Sequence, residues 1–119
     1  MEFYTVWVYD TQDPMVYRMF IPEDLDDPES EVISWDMGRE LFREAIDKHR
    51  LGGRMHILVS PPIDKGIQVV FTSEDGIEAA LLVFNEAELT AFHNMTHEKI
   101  TAEREIEITM NRLLFKVNA

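Results

Sequence analysis

GIQVVFTSEDGIEAALLVFNEAEL, residues Gly66 to Leu89, carries three structural signals in succession. Gly66 to Thr72 and Ile77 to Phe84 are rich in β-branched and apolar residues. Ser73-Glu74-Asp75-Gly76 between them has the composition of a short turn, so the two runs predict an antiparallel hairpin. Asn85 then stands three residues before Glu88 in a capping-box arrangement, with Leu89, Phe92 and Met95 as the apolar face of a short helix. A hairpin running directly into a helix, with no parallel crossover between its strands, points to the α+β class.

Upstream, Arg54 to Ser60 reads as another strand, closed by Ser60-Pro61-Pro62, because consecutive prolines cannot donate to a ladder. A helix is expected to begin near Ser34 or Asp36, with Met37, Leu41, Ala45 and His49 at helical spacing and Phe42 and Ile46 beside them. Gly52-Gly53 would stop it, the first as a left-handed cap. Phe3 to Asp10 and Met15 to Ile21 form a second hairpin around Thr11-Gln12-Asp13-Pro14, the first of these strands reading as an interior one. Thr101 to Ala119 fits either a helix through Ile106, Met110, Leu113, Leu114 and Val117 or a hairpin turning at Asn111-Arg112. The hairpin is the preferred reading, since it also puts Ile108 and Phe115 on the common face. The expected fold is thus α+β, mainly an antiparallel sheet of five to seven strands with two helices packed on one face, in a single domain spanning residues 1–119.

A chain of 119 residues lies near the modal domain length and can bury roughly two-thirds of the surface its unfolded form exposes. No cysteine is present, which excludes a disulfide framework, a thiolate zinc site and a cysteine nucleophile; a cytoplasmic location is the expectation. Met1-Glu2-Phe3-Tyr4 lacks the basic and apolar regions of a signal peptide, and no apolar run reaches the length of a bilayer span, so no membrane association is expected.

The formal net charge is -12, and it is unevenly placed. Residues 1–31 hold nine acids and one base, residues 32–66 five and six, and residues 67–119 nine and four. A field of this sign repels nucleic acid and favours encounter with basic proteins. Pro22 to Glu31 is the most acidic stretch and, with two prolines, reads as an exposed loop.

Reaction-bearing motifs are absent: the sequence has no Gly-rich phosphate loop, nucleophile elbow or dinucleotide fingerprint. Asp24, Asp26, Asp27, Glu29 and Glu31 lack the central glycine of a calcium loop and include Pro28 among them. His93 and His97 stand four apart, the spacing that puts two imidazoles on one helical face, but the glutamate of a zinc-protease helix is replaced by Asn94. The pair reads as a surface coincidence. His49 is expected at a helix C-terminus and His56 within a strand. Neither a catalytic residue, a cofactor nor a metal is expected.

The acidic surface is therefore the expected working part. On a strand, Glu103, Glu105 and Glu107 would lie roughly 6.5 Å apart along one face, extended by Glu23, Asp24, Asp26, Asp27, Glu29 and Glu31. Such a row resembles a phosphate backbone, which predicts a non-enzymatic protein that occupies the basic surface of a nucleic-acid-binding partner as a DNA mimic, inhibitor or immunity-like protein. Two other readings remain: an assembly subunit that associates through Trp7, Trp35, Tyr17 and Met19, and a small metal-dependent enzyme using His93 and His97.

Overall fold

In Val16–Pro22 the side chains of Tyr17, Met19 and Ile21 turn in and Arg18 between them turns out, and this strand is the middle of a three-stranded antiparallel sheet. The computed structural model describes residues 5–73, 75–76 and 79–108. The chain divides into two compact units, one formed by the residues to Gly38 with those from Glu103, the other by Arg39–Ala102.

In the first unit, β1 (Val6–Tyr9), β2 (Val16–Pro22) and β3 (Val32–Gly38) pair in that order. Trp7 lies opposite Met19 and Met19 opposite Trp35, while Tyr9 faces Tyr17 and Tyr17 faces Met37. The Tyr9 and Tyr17 rings meet edge to face at 5.7 Å, a favourable aromatic geometry. On the other face, Arg18 reaches across to Asp36 with two hydrogen bonds of 2.7 and 3.2 Å. Residues 102–108 are helical.

Three expectations are corrected here. Among the described residues β1 stands at the edge of its sheet with Val6 and Val8 exposed, not in the interior. The stretch expected to open a helix at Ser34 or Asp36 is β3: Ile33, Trp35 and Met37 are its more buried positions, alternating with exposed Val32, Ser34 and Asp36. Met37 satisfies both a period of two and a helical stripe, and pairing with β2 decides between them. The hairpin expected after Thr101 is also corrected, since residues 102–108 are helix; its turn at Asn111-Arg112 and its returning strand lie outside the described residues.

In the second unit, α1 (Arg39–Phe42) passes into a π-helical turn (Arg43–Asp47) closed by a bond from Lys48 N to Arg43 O. A four-stranded antiparallel sheet follows, in the order β4 (Gly52–Arg54), β5 (Ile57–Val59), β6 (Gly66–Thr72) and β7 (Ala79–Asn85), and α2 (Glu86–Lys99) comes next. Val59, Ile67, Val69, Phe71 and Leu82 line the buried sheet face and join Leu41, Phe42, Ala45, Leu89 and Ile100 in the unit's core. Among the described residues the fold is therefore α+β with two antiparallel sheets of three and four strands and three helical regions, where the sequence predicted one larger sheet and two helices.

Gly52 is not a helix cap. His49, at φ 52°, takes the left-handed position after the helix, and Gly52 begins β4 pressed against α1. A Cβ there would approach the Leu41 carbonyl oxygen to 2.3 Å. The hairpin pairing and the Asn85 cap are as read, although α2 runs 14 residues and is not the short helix expected: β6 pairs with β7 from Gly66 opposite Asn85 to Thr72 opposite Ala79. Asn85 Oδ1 accepts from Glu88 N at 3.0 Å, satisfying one of the orphan donors of the first turn.

Candidate functional site

The buried stripe of α2 consists of Leu89, His93 and Thr96, with Ile100 continuing it just beyond the helix. Met95, expected on the apolar face, points outward. Two polar residues thus occupy core positions and require partners. Thr96 Oγ1 donates to the His93 carbonyl at 2.7 Å and accepts from Arg39 Nη2 at 3.2 Å; the same Nη2 donates to the Ile100 carbonyl at 2.7 Å. Arg39, fully buried at the start of α1, thereby fastens the C-terminal end of α2.

His93 is itself completely buried, which corrects its reading as half of a surface pair. Its Nε2 lies 3.1 Å from Asp47 Oδ2 and 3.1 Å from His97 Nε2, while His97 Nε2 is 3.6 Å from Asp47 Oδ2. Asp47 ends the π-helical turn, where the widened backbone displaces it by about one residue, or ~100°, around the axis from its place in a continued α-helix. Helical periodicity places His97 one turn after His93. The pairing with Asp47, 46 residues away in sequence, has no local signal. Burial pushes the His93 pKa below its ordinary value; the Asp47 hydrogen bond and charge oppose this, and the positive charges of His97 and Arg39 add to it. The ring is therefore held toward its neutral form, in which Nε2 can act as a ligand.

The other histidines are elsewhere. His49 is exposed, and His56 lies in the β4–β5 turn, not within a strand, where its carbonyl accepts from Thr72 N at 2.9 Å.

The predicted acidic surface is dispersed in its use of carboxylates. Glu23 to Glu31 form an exposed loop closed by Glu23 N donating to Glu31 O at 2.7 Å. Asp24 Oδ1 accepts from Asp26 N and Asp27 Oδ1 from Glu29 N, both at 3.0 Å, so these two aspartates shape the loop's own turns. Glu103, Glu105 and Glu107 lie on the 102–108 helix, where a two-residue spacing turns side chains to different sides. Glu105 is only 3% exposed, whereas Glu103 and Glu107 face solvent and Glu107 pairs with Arg104 at 2.8 Å. No regular carboxylate row results. Of the aromatic and methionine side chains considered for assembly, Tyr17 and Met19 are fully buried and Trp7 and Trp35 half-buried.

Fold and side chains together define a small two-sheet α+β protein whose polar core is organised around one helix. Residues 4–105 match the family described as Streptomyces sporulation and cell division protein, SsgA, and the chain belongs to that family. The solved structures that share the fold include the following two. One is SsgB of Streptomyces coelicolor, mutations in which correlate with longitudinal cell division during sporulation. It is 22% identical, with a TM-score of 0.71 over 87% of this chain and 78% of that one. The other is an SsgA-like sporulation-specific cell division protein of Thermobifida fusca, 20% identical, with a TM-score of 0.73 over 97% of this chain and 80% of that one. No curated protein matches the chain. Family membership overturns the reading as a nucleic-acid mimic or inhibitor directed at a basic, nucleic-acid-binding partner. Net charge describes what a surface attracts at long range and does not specify a partner.

Proposed function

We propose that this protein acts in sporulation-linked cell division by binding other proteins of the division apparatus, and not by catalysing a reaction. The observation that carries this reading is the family match across residues 4–105. The outer face of the four-stranded sheet supplies a surface suited to association. Leu58 is paired with Val70 and Val70 with Leu81, forming an apolar row across three strands, with Val83 next along β7. Leu81 and Val83 are 55% and 64% exposed. Contiguous exposed apolar side chains on a sheet face are favourable ground for a protein partner. No helix among the described residues is long and apolar enough to cross a membrane.

The test is deletion of the gene in its host, with imaging of septa through sporulation, alongside a fluorescent fusion of the intact chain. Misplaced or missing septa and a fusion concentrated at division sites are expected. A Leu81→Glu/Val83→Glu variant should remain folded and lose that localisation. Normal septation in the deletion strain together with a diffuse wild-type fusion would refute the proposal.

A further inference from the structure

We propose that Asp47, His93 and His97 form a three-ligand site for a divalent transition metal of the zinc class, fastening the π-helical turn to α2. The ligand atoms are Asp47 Oδ2, His93 Nε2 and His97 Nε2, and their separations are 3.1, 3.1 and 3.6 Å. A tetrahedral zinc with bonds of about 2.0–2.1 Å requires ligand atoms about 3.3 Å apart. The triangle they make has a circumradius of about 1.9 Å, so a point about 0.8 Å out of its plane lies about 2.05 Å from all three atoms. The three donor atoms already stand at the separations a metal needs.

The donor chemistry agrees with the distances. Two imidazoles and one carboxylate suit zinc and its neighbours in the transition series, whereas magnesium and calcium prefer all-oxygen shells. A ring Nε2 offers one N–H or one lone pair. Without a metal, His93 Nε2 must divide that single group between two atoms 3.1 Å away, and the 3.6 Å separation of His97 from Asp47 is beyond ordinary hydrogen-bond length. One metal ion would engage all three atoms at once.

Access is one-sided. His93 is sealed in the core, while the His97 and Asp47 side chains are 30% and 39% exposed, which leaves a path for the ion. The placement is also informative, because π-helical turns are over-represented at functional sites. With three protein ligands, a fourth position remains on the solvent side for water or a donor from another protein.

The test uses the full chain, stripped with chelator and titrated with zinc chloride by calorimetry, with cobalt(II) as a spectroscopic substitute. Saturable binding of one zinc per chain, a tetrahedral cobalt spectrum and a melting temperature that rises with zinc are expected. His97→Gln and Asp47→Asn alter partly exposed side chains, so both should stay folded by circular dichroism and weaken zinc binding by at least about tenfold. His49→Gln should bind as wild type does. Magnesium should give no signal. Absence of saturable zinc binding, or equal affinity in the wild type and in folded His97→Gln, would show the trio to be only a hydrogen-bonded cluster and overturn the proposal.

Discussion

Replacing Gly52 with alanine isolates the close approach of β4 to α1. The added Cβ would lie 2.3 Å from the Leu41 carbonyl oxygen and 2.9 Å from its carbonyl carbon and Cα, about 1 Å inside ordinary contact for the oxygen. All three atoms are backbone, and Leu41 is itself buried in the core, so relief requires moving a helix or a strand. Overpacking of this kind costs about 3 kcal/mol, the upper part of the usual range. An entropy of unfolding of about 250 cal/mol/K, scaled to this chain length, converts that cost into a melting temperature lower by about 12 °C. Gly53→Ala is the internal control. Its Cβ would meet only the Leu58 Cδ2 methyl, at 2.7 Å, and Leu58 is an exposed side chain free to turn away. A change of less than about 4 °C is expected there. Thermal melts of both variants by circular dichroism decide the matter. Equal losses in the two variants, or a Gly52→Ala melt indistinguishable from wild type, would refute the packing argument.

Arg39→Ala removes a fully buried side chain together with the donor to the Ile100 carbonyl and Thr96 Oγ1. A loss of about 3–5 kcal/mol is expected in urea unfolding, and a midpoint unchanged from wild type would count against the role given to Arg39. Asn85→Ala deletes the acceptor for Glu88 N and should cost about 1 kcal/mol, with Asn85→Asp nearly neutral in the same assay. Hydrogen bonds from Arg18 hold the Asp36 pKa below its ordinary value, outweighing partial burial, which acts the other way. Because the folded pKa is the lower one, this stabilisation is present above the unfolded carboxyl pKa of about 3.9 and fades as pH falls through the folded value. Carbon-detected NMR titration should show the low midpoint in wild type and its rise in Arg18→Met; equal midpoints would remove the claimed cause.

What could be read from residues alone was whatever short stretches decide locally. The β6–β7 hairpin and the Asn85 cap were legible because strand alternation, turn composition and capping each depend on neighbours within a few positions. Residues 32–38 and 102–108 were misread for a shared reason. Each carries apolar residues that fit two periods at once, and in β3 the choice falls to the partner strand, which supplies seven paired positions from Pro22 to Val16.

The His93–His97 spacing was visible, but Asp47 was not, since nothing links position 47 to position 93 until α1, its π-helical turn and α2 pack in one unit. The sequence by itself determined the α+β class, the acidity and one capped helix, all of them sums or short-range patterns. Tertiary structure alone decided that the strands divide into two sheets, that Gly52 serves a close approach, that Glu105 is buried, and that three side chains from two helical regions meet around one point. Those outcomes depend on distances between residues far apart in the chain, and local propensity does not encode them.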